Sequence, residues 1–478
     1  MKRAAMSILA VLLAGCAAPD FRPPVIDTPA AFKEATVQTA ADGSRWVTAR
    51  PAEQQARGEW WRAFGDPALD GLIAEATRSN ANLAVAAARV RQARAIAGIA
   101  EADRVPQLDL AAGVQRGRPA PAELGLPAGT PVAPQTTYRA RLTASYEVDL
   151  FGRVSSNIAA ATADADATEA SYRSVLLALQ ADVAQHYFRQ RAIDAELETL
   201  ERTVQTREEN VKVNQRRFDL GDIGEFDLAR ALTELSTTRA EAIGLQQQRA
   251  TTEHALAVLL GKPAASYSAA ASPLSDAARM PAIPAGLPST LLERRPDIAA
   301  AQRRMAVANA RIGVARAAMF PALNINAAGG GVAGNFPDVL TMTGRSWMLG
   351  ALLSSPLIDG GRHRADVTRS EAALEESVAA YRHSVLAAFA EVEDNLAGLR
   401  ILHGQSSQIE DALVSARRSA ELAHKLYDAG RSSYLELLDA ERNLATVERS
   451  AVQLRGNRAI TTIALIRALG GGWDAPGS

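Results

Sequence analysis

Two long stretches of this chain contain no proline, Arg153 to Lys262 and Arg362 to Gly470, although the whole sequence holds 22 prolines. Proline is expelled from helix interiors because it lacks an N–H and collides with the preceding turn. Each stretch is interrupted instead by a glycine, Gly221 in the first and Gly430 in the second. Glycine is the usual residue where a helix ends in a left-handed conformation. Each stretch therefore predicts a pair of long helices folded back on one turn. The first arm, Arg153 to Leu220, would run about 100 Å at 1.5 Å per residue. Ile193, Leu197, Leu200, Val204, Val211 and Phe218 recur at coiled-coil-like spacing along it. Arms of that length cannot be buried in a compact domain and need neighbours along their whole length.

The two stretches are copies. Gly152 and Gly361, Gly221 and Gly430, and Gly261 and Gly470 are each 209 positions apart. Upstream, Asn82-Leu83 matches Asp297-Ile298 and Val105-Pro106 matches Phe320-Pro321, both at an offset of 215. The change of offset falls between those points. The chain is thus a tandem repeat, with a first repeat over 60–262 and a second over 291–470. Residues 263–290, rich in Ala, Ser and Pro, join them, and 471–478 form a tail.

Within each repeat the period changes before the long helices. From Tyr138 to Asp149 the sequence alternates strictly. Tyr138, Ala140, Leu142, Ala144, Tyr146 and Val148 point one way, and Arg139, Arg141, Thr143, Ser145, Glu147 and Asp149 the other. Leu108, Leu110, Ala112 and Val114 alternate more weakly. These predict a β-hairpin over about 106–150, ahead of a helical hairpin over 153–262. The second repeat predicts the same order, a β-hairpin over about 321–358 and a helical hairpin over 362–470. An outward apolar row with Tyr near both ends and a polar inner row is the pattern of a membrane β-barrel. The same alternation fits a soluble hairpin with one wet face. Four strands cannot close on themselves, and an open edge cannot face lipid. If the strands lie in a membrane, several chains must share one barrel.

The N-terminus reads as a secretory signal over 1–15: Lys2 and Arg3 precede an apolar run from Ala4 to Leu13. It ends in Leu13-Ala14-Gly15-Cys16, which resembles the bacterial lipoprotein box and makes Cys16 the candidate lipidated residue. Cys16 is the single cysteine, so disulfides and thiolate metal sites are excluded. Residues 16–59 carry several prolines and little periodicity, and read as a lipid-anchored extended segment. Asp66-Pro67 then predicts an N-cap and first helical position.

Motifs for catalysis or cofactors are weak. Lys and Arg total 52 against 53 Asp and Glu, which gives no sign of nucleic-acid binding. Gly329-Gly330-Gly331-Val332-Ala333-Gly334 matches a nucleotide fingerprint only formally, because Asn335-Phe336-Pro337 follows where a helix is required. The six histidines are scattered, and no metal or other cofactor is expected. Tyr427 to Arg442 is the most informative stretch. Ser432 or Ser433 is placed to cap the helix after Gly430, with Glu436 about one turn on. Glu436 and Asp439 share one helix face. They fit a solvated face, or a hydrolytic acid pair without substrate-binding aromatics around it.

Taken together, Leu-Ala-Gly-Cys16, Trp60-Trp61-x-x-Phe64-x-Asp66-Pro67, Arg294-Arg295-Pro296-Asp297-Ile298, Phe320-Pro321, Asp359-Gly360-Gly361-Arg362 and Tyr427-x-x-Gly430-x-x-x-Tyr434-Leu435-x-Leu437-Leu438-Asp439-Ala440 resemble the TolC-like outer-membrane factors of tripartite efflux pumps, in their NodT or OprM-type lipoprotein branch. The resemblance implies a mainly α fold with a membrane β-barrel contribution: a homotrimer with a shared 12-stranded barrel above a 12-helix periplasmic tunnel. It implies a passive, non-enzymatic export duct for small molecules, set in the outer membrane and working with a periplasmic adaptor and an inner-membrane RND transporter. Ala17 after Cys16 agrees with that membrane. The adaptor would dock on the helical turns, at Gly221, Asp222, Ile223 and Gly224 and at Gly430, Arg431, Ser432 and Ser433. Asp227 and Tyr427 match the positions that hold the tip shut, and Glu436 and Asp439 match the acidic gate ring. The family's gate arginine is replaced by Ser432, with Arg431 or Arg442 as candidate substitutes. The competing readings are the outlet of a type I protein secretion system, a non-pore helical structural lipoprotein and, more distantly, a hydrolase.

Overall fold

A computed structural model of the chain describes residues 24, 28–29, 31–34, 58–275, 280–281, 283 and 294–471. Cys16 and the signal peptide lie outside the described residues, as do most of 16–59, most of the segment between the repeats, and the tail beyond 471.

A short 3-10 helix over Trp60–Phe64 leads into α1 (Pro67–Ser79). Asp66 caps α1, accepting from the N–H groups of Ala68 at 3.0 Å and Leu69 at 3.4 Å, with Pro67 at the first turn. Then come α2 (Ala81–Ala102), β1 (Gln107–Gly117), β2 (Gln135–Val148), α3 (Arg153–Asp219) and α4 (Glu225–Leu259). The second half runs α5 (Pro296–Ala317), β3 (Ala322–Ala333), β4 (Arg345–Ser354), α6 (Arg362–Asp428) and α7 (Tyr434–Ala468). The duplication is visible in the lengths. The helices before the strands, α2 and α5, have 22 residues each. The long helices α3 and α6 have 67 each, and the returning helices α4 and α7 have 35 each.

The described chain divides into two compact units. The first includes Arg89–Glu169 and Ala300–Tyr381 and carries the strands. They form one antiparallel sheet in the order β1-β2-β3-β4. The register sorts most of its side chains by polarity. Leu110 faces Leu142, Leu142 faces Gly329, and Gly329 faces Trp347. The alternate row sets Ala111 against Arg141, Arg141 against Gly330, and Gly330 against Ser346. Since successive side chains point to opposite faces, one face carries Leu, Val, Ala, Ile, Tyr, Gly and Trp over most of its extent. The other carries most of the Asp, Gln, Arg, Thr, Ser, Glu and Asn. On the outer strands the apolar face stays exposed, with Leu110 at 76% and Trp347 at 84%. At the strand-to-helix junctions, Asp149 accepts from the N–H groups of Val154 and Ser155 at the start of α3. Asp359 accepts from Gly361 and His363 at the start of α6.

The second unit, which includes Ala170–Ala299 and Arg382–Ser478, holds the main apolar core. Trp60, Trp61, Phe64, Leu69 and Ile73 pack with Phe188, Leu256, Leu260, Ile463 and Leu465. Phe64 and Phe188 lie 5.0 Å apart. The second carboxylate oxygen of Asp66 accepts from Tyr187 at 2.8 Å and Arg191 at 2.6 Å, so the cap of α1 is tied to α3. The stretch at 31–34 is held too. Phe32 enters this core, and the backbone N–H groups of Lys33 and Glu34 donate to the carboxylate of Glu393 on α6.

Candidate functional site

Both helical turns close in the same way. At the first, Gly221 has φ of 77°, its N–H reaches the carbonyl of Phe218, and the N–H of Asp222 reaches that of Arg217. At the second, Gly430 has φ of 66°, its N–H reaches Tyr427, and that of Arg431 reaches Leu426. Paired bonds around a left-handed glycine satisfy the last carbonyls of the arriving helix. The departing helices differ. Ser433 caps α7 in a full capping box: its side chain accepts from the N–H of Glu436, and the Glu436 carboxylate accepts from the N–H of Ser433 at 2.9 Å. Of the two candidate serines it is therefore Ser433 that caps. The Ser432 hydroxyl is buried, with no hydrogen-bond partner among the described residues. Gly224, at the matching place before α4, offers no side-chain cap.

The candidate gate residues fall around these turns. Glu436 and Asp439 are exposed on α7, and one oxygen of Glu436 is already committed to the capping box. Asp227 is half-buried in the first turn of α4, and Tyr427 is half-buried near the end of α6. Tyr427 does not bond Asp227 within the chain. Its hydroxyl accepts from Arg217 of α3 at 2.7 Å and lies 3.4 Å from the side-chain oxygen of Asn214. The Arg217 guanidinium also lies over the Tyr427 ring, 5.2 Å from its centre. The arginine at Tyr427 is thus Arg217, contributed by the first repeat. Arg442 is held by Glu234 of α4 through two bonds. The Arg442 guanidinium holds the Glu234 carboxyl below the ordinary value of 4.5.

About three to four helical turns from the glycines, the sequence reading missed a buried polar cluster. Arg207 of α3 pairs with Glu441 of α7, and Asn210 donates to the same carboxylate oxygen at 2.9 Å. His424 of α6 places Nε2 2.9 Å from the other oxygen, but out of line for a hydrogen bond. Tyr434 packs beside Tyr427 and the buried Leu437 and Leu438. Burial pushes its phenol up to about 12. A signal for this cluster was present. The apolar seam of α3 steps by threes and fours through Val204, Val211 and Phe218, and its missing steps are Arg207 and Asn214. Among the described residues, no group of His, Cys, Asp and Glu is arranged to hold a metal ion.

Compared with known proteins, residues 72–262 and 287–471 match the family model described as outer membrane efflux protein. The chain belongs to that family. This efflux protein is 34% identical over 430 residues to the pyoverdine export outer membrane protein OpmQ of Pseudomonas putida, covering 90% of this chain and 91% of the relative. It is 33% identical over 478 residues to the toluene efflux pump outer membrane protein TtgI of Pseudomonas putida, covering 99% of both. It is 31% identical over 470 residues to the cation efflux system protein CusC of Escherichia coli, covering 98% of both. Among solved structures it is similar to the outer-membrane channel OprN, with a TM-score of 0.85 at 28% identity over 95% of this chain and 99% of that one. It also matches a CusC crystal structure, with a TM-score of 0.81 at 29% identity over 95% of this chain and 99% of that one. The efflux protein therefore has the TolC-like fold of an outer-membrane channel, and its relatives are efflux channels rather than enzymes. Among the described residues no helix is long and apolar enough to cross a membrane.

Proposed function

We propose that three copies of this chain build one outer-membrane duct for a tripartite efflux pump, each giving four strands to a shared 12-stranded barrel and four long helices to a periplasmic tunnel. The sheet carries this reading. Its apolar face runs across all four strands and is largely exposed on β1 and β4, which suits lipid and not water. Among the described residues its outer strands, β1 and β4, each pair on one side only. Unpaired strand edges are not tolerated in hydrocarbon, so the edges must meet those of other copies.

Under this reading the turns at Gly221 to Gly224 and Gly430 to Ser433 face the periplasm. They are the docking surface for an adaptor that couples the duct to an inner-membrane RND transporter. Asp227, Tyr427, Glu436 and Asp439 surround the closed tip, with Arg217 added as the partner of Tyr427. Cys16 carries a lipid anchor that supplements the barrel. Two repeats per chain support a tunnel of quasi-equivalent hairpins. Small molecules pass outward without chemical change. The test is mild detergent extraction of outer membranes followed by native mass measurement. The reading expects a mass of three chains, and a stable monomer would overturn it.

A further inference from the structure

We propose that Arg139 and Arg141 form a cationic band inside the barrel that gives this stretch of the duct a preference for anionic solutes. The inference rests on the shared-barrel reading above. Both arginines lie on the polar face of β2, in the half that adjoins the loop between β1 and β2. Both are exposed. The register surrounds them with small residues. Gly113 and Val332 flank Arg139, and Ala111 and Gly330 flank Arg141. No polar side chain stands directly opposite either arginine on a neighbouring strand.

The carboxylates on that face do not neutralise them. Glu147 is taken by Arg153 through two bonds of 2.7 and 2.6 Å. Asp109 sits opposite Thr143, one diagonal step from Arg141 and within reach of a long side chain, yet the two form no ion pair. Neither arginine makes an ion pair among the described residues. Three copies would therefore place six guanidinium groups around one lumen. Charges of one sign in a narrow channel with low-dielectric walls focus the field and raise the local concentration of counter-ions. The favoured cargo at this level carries carboxylate, phosphate or sulfonate groups. This sign is opposite to that of the exposed Glu436 and Asp439, so the strand and turn regions filter charge differently.

The test is the reversal potential of assembled channels in planar bilayers under a potassium chloride gradient, comparing the unaltered protein with an Arg139→Gln and Arg141→Gln double variant. The chloride-to-potassium permeability ratio should fall at least about threefold in the variant, and the difference should shrink at about 1 M salt, where the Debye length is about 3 Å. An unchanged ratio in correctly assembled channels overturns the proposal. A second variant, Arg141→Cys, is treated with a water-soluble, membrane-impermeant cationic thiol reagent, with the unaltered protein as control for Cys16. Modification that returns the chloride-to-potassium ratio toward that of the unaltered protein places residue 141 in the lumen and supports the proposal. If the reagent modifies residue 141 but the glutamine variant keeps its ratio, the charge preference alone fails. If it does not react, the barrel reading fails with it.

Discussion

Arg207 and Glu441 face each other across the α3–α7 packing with 2% and 6% of their side chains exposed, a charge pair set in the seam that joins the two repeats near their turns. Removing one partner of such a pair strands the other charge in a poorly solvated site, at a cost of about 3–5 kcal/mol. Replacing both by apolar side chains of similar volume is often neutral. We expect Arg207→Ala and Glu441→Leu each to loosen the turns, read as faster protease cleavage around 219–225 and 429–433 and a lower dissociation temperature. Arg207→Met combined with Glu441→Leu should recover most of the loss. Equal damage in the single and double variants would show that the pair is not the source of the effect.

Glu234 and Arg442 make a second link, between α4 and α7, whose strength depends on pH. Arg442 depresses the Glu234 carboxyl below its ordinary 4.5, so the folded state favours the ionised form. The stabilisation is present above that ordinary value and is lost as pH falls through the depressed one. Arg442 is half exposed, and such pairs contribute below about 1 kcal/mol. Cleavage at the turns should rise modestly as pH drops from about 5 to about 3. Glu234→Gln should start nearer the acid level and change less across that range. An identical pH profile in the variant would remove this link from the account.

Leu142 and Thr143 are neighbours on opposite faces of β2. An arginine on a lipid-facing position costs about 2–4 kcal/mol near the bilayer midplane, and a trimer meets that cost three times. Leu142→Arg should reduce assembled protein in the outer membrane severely, whereas Thr143→Arg should assemble nearly normally. Equal assembly of the two, measured by membrane fractionation and native electrophoresis, would mean that the apolar face does not meet lipid.

Two adjacent glycines make a sharper test of the same sheet. A Cβ on Gly330 would sit 2.1 Å from the carbonyl oxygen of Ala140, while one on Gly329 would meet nothing within 4 Å. Gly330→Ala should disturb β2–β3 pairing by about 1–3 kcal/mol, the usual cost of overpacking. Gly329→Ala should have little effect on assembly yield. The reverse order would contradict the strand register.

The long helices, their glycine turns and the strict alternation of β2 were legible because each is a local pattern. Proline exclusion marks the helices, and period two marks Tyr138 to Val148. Gly329 to Gly331 were harder to place, since glycine carries no side chain to show a period; they belong to β3. The candidate site was legible only in part. Glu436 and Ser433 lie three residues apart, so their capping box could be read directly. The partner of Tyr427 is Arg217, 210 positions away. That pairing depends on which face of α3 meets α6, and no short-range pattern specifies it. Arg207 and Asn214 occupy regular steps of an apolar seam, where a polar residue reads as an interruption until packing shows it buried.

On the proposed reading, contacts between the two repeats hold the duct closed at its helical turns. Single-channel recording of the trimer in planar bilayers tests it most directly, comparing the unaltered protein with an Arg217→Ala and Tyr427→Phe double variant. A hydrogen bond to a charged group contributes about 1.5–3 kcal/mol, and a change of about 5.5 kcal/mol carries a two-state equilibrium from 1:99 to 99:1. Under that reading, losing the contact in three copies at once removes about 4.5–9 kcal/mol of closing free energy, a range that brackets that change. The account predicts low conductance in the unaltered protein and a several-fold rise in the variant, with trimer assembly intact. Equal conductance in the two, in correctly assembled trimers, would contradict it.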